Sequence, residues 1–209
     1  MPRQRKLHDG YFKQAKREGY VARSAYKLLE INDKKKLLKR GDRVVDLGCA
    51  PGSWLQAAAE LVGPKGLVIG IDLKPVDHPM PDNVRTVVGD LTETDPAELT
   101  DLAGGRFRVV LSDMAPNTVG VGDDFRSVRL CREILERLPG MIAPGGHLAM
   151  KVFEGAELQD LIRETRAVFD EAKAFKPQAC RDVSRETYVV AKGYSGPIAD
   201  SGTDAEPRA

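Results

Sequence analysis

One lysine and one aspartate of this sequence lie within or at the end of apolar runs, where buried strands of a sheet are expected. Lys151 interrupts the run Ala149–Phe153, and Asp113 closes the run Phe107–Asp113. A lysine within a buried strand is costly to desolvate unless it is paired, and a neighbouring strand would bring Asp113 within its reach. A buried ion pair with a purely structural role is the alternative. We favour a functional pair, because both charges would lie at the carboxyl ends of strands, where open α/β sheets bind ligands.

A loop with two glycines follows the first apolar run, in the segment Asp46-Leu-Gly-Cys-Ala-Pro-Gly-Ser-Trp54. Gly48 and Gly52 let the backbone turn tightly and approach a ligand, because a side chain at either position would occupy the same space. The loop lacks the GxGxxG pattern of dinucleotide sites, and the chain has no GxxxxGKS or GxxxxGKT phosphate loop. These features favour a cofactor without a pyrophosphate and argue against a nicotinamide oxidoreductase.

Two further aspartates follow the second and third apolar runs. Asp72 comes twenty residues after Gly52, and an acid at that strand end can accept hydrogen bonds from both hydroxyls of an adenosine ribose. Dinucleotide and adenosyl-methionine binders share this geometry, so Asp72 by itself does not choose the cofactor. Asp90 could accept a hydrogen bond from an adenine amino group, and a local turn or helix cap is an equally good interpretation of it.

The elements that must position these residues begin at residue 43, where apolar runs start to alternate with segments of helical length. This pattern predicts an α/β fold with a doubly wound, mostly parallel, Rossmann-like sheet covered by helices on both faces. Pro144-Gly145-Gly146 should break the chain before the fifth strand. The expected strands are Arg43–Leu47, Leu67–Asp72, Val84–Val88, Phe107–Asp113, Gly146–Phe153 and Thr187–Ala191. The expected helices are Ser53–Val62, Pro96–Ala103, Asp124–Met141 and Glu157–Phe169.

The net charge of +1 conceals a strong asymmetry along the chain. Residues 1–43 hold 14 Lys and Arg against 5 Asp and Glu, whereas residues 44–209 hold 18 against 26. Such a basic segment can attract a polyanion while the acidic remainder keeps the protein soluble. The segment also has a helical pattern, with Leu28, Leu29 and Ile31 spaced to dock on the sheet. It therefore predicts a short, basic, helical N-terminal arm.

Aromatic residues interleave with the cations of this arm, at Tyr11, Phe12, Tyr20 and Tyr26. Cations attract phosphates regardless of base sequence, and aromatic rings can stack on single-stranded bases. The arm therefore favours RNA as a partner. We expect about half of the aromatic residues to pin the arm to the body instead.

We expect the chain to divide into three parts. These are an arm at residues 1–42 packed on the catalytic domain, the domain itself at 43–193, and a disordered tail at 194–209. The tail combines Gly, Pro, Ser and Asp and has little to bury. The length of 209 residues fits one core of ordinary size.

Composition indicates where in the cell the protein is expected and in what state its cysteines are. No stretch approaches the ~20 apolar residues that span a bilayer, and no apolar leader follows Met1, so we expect a cytoplasmic protein without a membrane partner. Nothing in the sequence demands more than a monomer. Cys49, Cys131 and Cys180 are odd in number and widely spaced, which favours reduced thiols in the core over disulfides or a metal site.

Five segments, in a characteristic order, resemble the FtsJ family of ribosomal RNA 2′-O-methyltransferases. The resemblance covers about residues 8–193, which is nearly everything except the tail. The matching segments are Arg23-Ser-Ala-Tyr-Lys27-Leu, Asp46-Leu-Gly-Cys-Ala-Pro-Gly-Ser-Trp, Ser112-Asp-Met-Ala-Pro-Asn, Lys151-Val-Phe and Ser184-Arg-Glu186-Thr-Tyr188.

The resemblance implies a fold of the S-adenosyl-methionine-dependent methyltransferase type and a defined set of site residues. The implied catalytic residues are Lys27, Asp113, Lys151 and Glu186. S-adenosyl-methionine would be bound by the first loop, with Gly52 and Trp54 contributing, and by Asp72, Asp90 and Asp113. The implied substrate is a uridine ribose in the A-loop of large-subunit (23S) ribosomal RNA, with no DNA partner and a role in maturation of that subunit.

Methyl transfer to a ribose hydroxyl needs alignment of the oxygen, the methyl carbon and the sulfur, and removal of one proton. Lys151 is the candidate general base, provided that its amine can be neutral. In the alternative, Lys151 stays protonated and a water on Asp113 takes the proton. Lys27 would orient the ribose or a phosphate, and Glu186 would hold a lysine or accept a hydrogen bond from the sugar.

Other functions are compatible with parts of this pattern. A methyltransferase for another RNA would need the same residues, and a catalytically silent ribosome-assembly factor could keep the fold and bind RNA. Enzymes that methylate base amines tend to carry an Asn/Asp-Pro-Pro-aromatic run after the fourth strand. This chain has Asp113-Met-Ala-Pro116 there, which disfavours that chemistry.

Overall fold

All six predicted runs form strands, and a further strand that the sequence pattern did not reveal joins them. The computed structural model describes residues 3–116, 122–180 and 184–196, with side chains from residue 10 onward. The strands are β1 (Arg43–Leu47), β2 (Leu67–Asp72), β3 (Val84–Val88), β4 (Phe107–Ser112), β5 (Ile142–Phe153), β6 (Phe169–Phe175) and β7 (Glu186–Tyr194). The helices are α1 (Arg3–Glu18), α2 (Ala25–Lys35), α3 (Ser53–Val62), α4 (Pro96–Ala103), α5 (Asp123–Met141) and α6 (Leu158–Arg166).

The strands form one sheet in the order β3-β2-β1-β4-β5-β7-β6. Strand β7 runs antiparallel to both of its neighbours, and the other pairs are parallel. The expected doubly wound, mostly parallel α/β sheet is therefore confirmed. Because β7 runs in reverse, its first residue, Glu186, pairs with Phe153 at the carboxyl end of β5. A residue at the start of a strand thus reaches the ligand-binding edge of the sheet.

Helices cover both faces of the sheet, and alternation along each strand decides which face a side chain serves. In β1, Val45 packs with α4, α5 and α6, whereas Val44 packs with α2 and α3. Leu28 and Ile31 of α2 are fully buried in the second layer. This buried contact holds α2 across the face of the sheet that carries Lys151 and Tyr188.

The fifth strand starts earlier than the sequence predicts. It begins at Ile142 and runs through Pro144-Gly145-Gly146 instead of starting after them. Its pairing with β4 shifts register between Phe107 and Val109, as at a β-bulge, and this irregularity accommodates the proline and glycines within the strand. The last strand likewise extends beyond the expected Thr187–Ala191 at both ends.

The missed strand is β6, at the edge of the sheet. The prediction continued the preceding helix to Phe169, but α6 ends at Arg166 and the chain turns into β6. Only Phe169 and Ala172 of this strand are buried, and its solvent-facing side is charged. Charged edge strands of this kind protect a sheet from pairing with other chains, and they carry a weak hydrophobic signal.

Several further expectations concern the chain as a whole. The three cysteines are free and buried, as predicted. Within the described ranges, no helix has the length and apolar character needed to cross a membrane. Most of the expected tail, residues 197–209, lies outside the described residues.

Candidate active site

Four charged side chains from four different elements meet at the carboxyl edge of the sheet. The carboxylate of Asp113 is 3.1 Å from the amine of Lys151 and 4.0 Å from the amine of Lys27. Lys27 donates a hydrogen bond of 2.9 Å to Glu186, and Lys151 also donates to the main-chain carbonyl of Asp113. The structure therefore brings together all four residues expected as catalytic. We call Lys27, Asp113, Lys151 and Glu186 the tetrad.

Lys27 is the more deeply held cation of the tetrad. It lies in the first turn of α2, and only 6% of the residue is exposed. Burial lowers its pKa, but the negative charges of Asp113 and Glu186 outweigh burial, so the net pKa of Lys27 is raised. In Glu186, burial raises the pKa, but the ion pair with Lys27 prevails and the net pKa is lowered. Both groups are therefore charged near neutral pH.

Tyr188 is a member of the site to which the sequence assigned no role. It is fully buried, and its hydroxyl donates a hydrogen bond of 2.6 Å to the carboxylate of Asp113. Its ring stacks on Trp54 with centroids 5.7 Å apart. Burial, followed by the charge of Asp113, raises the pKa of the phenol well above its usual value, so the hydroxyl keeps its proton. The available signal was spacing, because Tyr188 lies two residues after Glu186 in one strand and must share its face.

A cavity of about 620 Å³ opens beside the tetrad at the ends of β1, β2 and β4. Gly48, Asp72, Asp90 and Asp113, all expected to bind cofactor, line it. Gly48 adopts a φ of +74°, and a Cβ at this position would lie 2.0 Å from the side chain of Met114. Glycine is therefore required here for both conformation and space.

The two acids on the far wall of this cavity accept hydrogen bonds from main-chain amides. One carboxylate oxygen of Asp72 accepts from the amide of Ala50, and the other accepts from the amide of Lys74, both at 2.9 Å. Asp90 accepts from the amide and the hydroxyl of Thr92, which keeps its pKa below the usual value. We call Asp72 and Asp90 the acid wall. For Asp90, the turn interpretation is therefore correct, and the same residue also faces the cavity.

A comparison with known families decides what kind of protein carries this site. The model of the FtsJ-like methyltransferase family matches residues 20–194, which contain the tetrad, the acid wall and the whole sheet. The chain belongs to the FtsJ-like methyltransferase family. Its resemblance to that family in the five sequence segments is thus confirmed.

Individual relatives agree with this assignment. The methyltransferase is 48% identical over 186 residues to the ribosomal RNA large subunit methyltransferase E of Syntrophobacter fumaroxidans, covering 88% of this chain and 94% of that protein. It is 45% identical to the protein of the same name from Halorubrum lacusprofundi, over 91% and 73% of the two chains. A crystal structure of a ribosomal RNA methyltransferase from Plasmodium falciparum superposes with a TM-score of 0.76 at 30% identity, over 85% of this chain and all of that one.

Two residues expected to bind cofactor in this methyltransferase do not line the large cavity. Trp54 is buried, and its indole nitrogen donates to the carbonyl of Ser24, which ties α3 to the arm. Gly52 has a φ of +108°, and a Cβ there would lie 2.6 Å from Met80 and 3.0 Å from Val76. Trp54 therefore contacts the arm, and Gly52 lies against the segment that follows β2.

Most aromatic residues of the arm are used for packing. Tyr20 donates to Glu60 of α3, and Tyr26 donates to Glu18 of α1. The rings of Tyr11 and Tyr20 both pack against that of Tyr26. Phe12, in contrast, is 66% exposed. Three of the four aromatic residues therefore hold the arm together or onto the body, and Phe12 is the one that faces solvent.

Proposed function

We propose that this protein transfers the methyl group of S-adenosyl-methionine to the 2′-hydroxyl of a ribose in large-subunit ribosomal RNA. The observation that carries the proposal is the double position of Asp113. This residue lines the large cavity and also pairs with both lysines of the tetrad. A methyl donor in the cavity and a nucleophile on the lysines would therefore meet at one carboxylate.

The residues of the cavity fit this cofactor. S-adenosyl-methionine carries an adenosine and a positive charge, and the cavity offers carboxylates at Asp72, Asp90 and Asp113 beside apolar side chains. Each oxygen of Asp72 retains a lone pair for a ribose hydroxyl, since its backbone partners use one apiece. Asp90 would accept from the adenine amino group. When bound, the cofactor would supply a methyl carbon that an oxygen nucleophile can attack, with the C–S bond breaking and a neutral thioether as the leaving group.

We assign different roles to the two lysines of the tetrad. The raised pKa of Lys27 keeps it cationic, so it is suited to hold a ribose oxygen or a phosphate. We assign the proton transfer to Lys151, whose amine accepts the proton of the 2′-hydroxyl as the oxygen attacks the methyl carbon. Asp113 fixes the position of that amine through two contacts. General-base catalysis of this kind contributes about 10²–10⁴-fold in rate.

The names of the relatives and the charge of the arm support the proposed substrate. Two relatives are named as ribosomal RNA large subunit methyltransferases. The family resemblance implies a uridine of the A-loop in 23S ribosomal RNA, and the basic segment at residues 1–43 suits a polyanion. The enzyme would then act in the cytoplasm, as a monomer, during maturation of the large subunit.

Incubation with labelled S-adenosyl-methionine and separated ribosomal subunits tests this function. We expect label in RNA of the large subunit, recovered as a nuclease-resistant 2′-O-methyl dinucleotide that maps to a uridine. Label in bases, protein or DNA alone would contradict the proposal. RNA binding without any transfer of label would favour the silent assembly factor instead.

A further inference from the structure

A second group of lysines lies at the opposite end of α2 from the tetrad. Lys35 is in the last turn of this helix, and Lys39 follows it in the segment before β1. Lys173 of β6 and Lys192 of β7 lie on the face of the sheet that α2 covers. We call Lys35, Lys39, Lys173 and Lys192 the basic surface. Two of its members come from the basic arm, and two come from residues 44–209, where acids outnumber bases.

Three of these lysines meet around one small hollow. Lys35, Lys173 and Lys192 line it together with Glu171 and Val190, and its volume is about 60 Å³. A hollow of this size admits about two water molecules, so it is too small to be a pocket for a nucleotide. A larger ligand must therefore contact the lysines from the outside, as a surface.

Lys39 belongs to the same surface, because it acts on a histidine that is paired with Lys192. His147 of β5 lies opposite Lys192 of β7. Burial, then the charge of Arg108, lower the pKa of His147, and the charges of Lys192 and Lys39 act in the same direction. The basic surface therefore extends from β6 across β7 to β5.

The charge of the basic surface is largely uncompensated. Within the described ranges, Lys35, Lys39 and Lys192 take part in no ion pair. Lys173 contacts Glu171 at 3.8 Å, but both side chains are more than half exposed, so this pair contributes little. Four cations beside one carboxylate leave an excess of positive charge on one face of the protein, and such a face attracts anions.

The residues of the hollow offer charge without an apolar anchor. Val190 is buried, and the ring of Phe175 is half-buried beneath the amine of Lys35, which lies 4.9 Å from its centroid. Interfaces between proteins centre on aromatic and aliphatic side chains, and recognition of single-stranded bases uses rings that are free to stack. Phosphate groups require only cations. The chemistry of this surface therefore favours the backbone of a nucleic acid.

Strand β7 connects the basic surface with the tetrad. Glu186, Tyr188, Val190 and Lys192 alternate along one face of this strand, so Glu186 and Lys192 are about 20 Å apart. That distance exceeds the Debye length of ~8 Å at physiological ionic strength, so the charge of Lys192 has little effect on the tetrad. An RNA with one ribose at the tetrad can reach the basic surface several nucleotides away.

We propose that the basic surface binds the phosphate backbone of the substrate RNA at a distance from the methylated ribose. This inference rests on the proposed function, which supplies the RNA. The contact is independent of base sequence, and it adds affinity for an RNA large enough to span both sites. It leaves the chemical step at the tetrad unchanged.

Lys173→Gln combined with Lys192→Gln tests the surface while leaving α2 intact. At physiological ionic strength, the double variant should bind large ribosomal subunits at least ~10-fold more weakly than the wild type. The slope of log affinity against log salt concentration should fall by about two, because two phosphate contacts are lost. The rate of methyl transfer at saturating subunits should match that of the wild type. Lysines that only support the sheet would leave the salt slope unchanged.

Lys65→Gln combined with Arg163→Gln is the matched control. Both residues are exposed, Lys65 in the turn before β2 and Arg163 in α6, which packs on the opposite face of the sheet. This variant has the same net charge as the test variant and should bind subunits as tightly as the wild type. An equal loss of affinity in both double variants would indicate a general effect of net charge and would overturn the proposal.

The same binding measurements on protein-free large-subunit ribosomal RNA identify the partner. We expect the test variant to lose affinity for this RNA as it does for subunits. A loss on subunits alone would assign the surface to a ribosomal protein and overturn the proposal, as would a test variant with wild-type affinity and salt slope. Failure of the wild type to methylate RNA, with salt slopes that still differ between the two double variants, would refute the proposed function and leave the basic surface as an RNA-binding site.

Discussion

The tetrad and the acid wall meet at one cavity but are assembled in opposite ways. The four side chains of the tetrad come from α2, β5, β7 and the loop after β4, and they contact one another across the sheet. The two acids of the wall are held by amides within about 22 residues along the chain. The tetrad thus depends on side chains from four distant elements, whereas the acid wall depends on main-chain amides, of which those of Lys74 and Thr92 are two residues away. Removing a tetrad member should disturb its partners, and removing a wall acid should not.

The largest effect is expected from Lys151→Ala. The variant loses the proposed general base, so methyl transfer to RNA should fall by at least ~10²-fold. Affinity for S-adenosylhomocysteine should be retained, because Lys151 does not line the large cavity. Single-turnover methylation and calorimetry measure the two quantities. Turnover near the wild-type rate would remove Lys151 from the mechanism.

Asp113→Asn and Asp72→Asn together test whether one carboxylate joins the two regions. Asp113→Asn should reduce both the methylation rate and the affinity for S-adenosylhomocysteine, each by ~10–100-fold, because it removes charge-assisted contacts on both sides. Asp72→Asn should reduce affinity alone and leave the rate at saturating cofactor close to that of the wild type. Unchanged cofactor affinity in Asp113→Asn, measured by calorimetry, would separate the two regions.

Glu186→Gln tests how the contribution of the ion pair between Glu186 and Lys27 to stability changes with pH. The lowered pKa of Glu186 means that its contribution to stability is present above the unfolded value and is lost as the pH falls through the folded pKa. The variant should lose about 2–3 kcal/mol at neutral pH, because the buried Lys27 loses a charged hydrogen-bond partner. The difference from the wild type should shrink on acidification. Urea unfolding at pH 7 and pH 3.5 measures it, and a difference that stays constant with pH would refute the role of this ion pair.

Tyr188→Phe should give the smallest change. It removes the hydrogen bond to Asp113 but keeps the ring that stacks on Trp54. Since both lysines still contact Asp113, we expect a loss of about 1 kcal/mol in stability and a roughly 5-fold lower methylation rate. Tyr188→Leu is the companion variant, which also loses the stacking and should be less stable than Tyr188→Phe. A Phe variant as impaired as the Leu variant would assign the importance of Tyr188 to the hydroxyl alone.

The parts of the site that were predictable from the sequence are those with a local signature. Gly48, Asp72 and Asp90 follow strands that the apolar runs identified, and all three line the cavity. The strand β6 and the early start of β5 were missed because their residues carry charge, proline or glycine, and only pairing with neighbours makes them strands. Tyr188 was missed because a tyrosine in an apolar run has the same signal whether it packs or hydrogen-bonds.

The sequence by itself determined the α/β alternation, the glycine loop and the acids that follow its strands, since period and turn chemistry are properties of neighbouring residues. It also determined membership of the methyltransferase family, through motifs that occur in the family's characteristic order. Only the tertiary structure decided that Glu186 reaches Lys27, because that contact requires β7 to run antiparallel and α2 to lie across the sheet. It alone decided that Asp113 has three partners and Asp46 has none among the described residues, because the environment of a buried charge is set by elements far away in the chain.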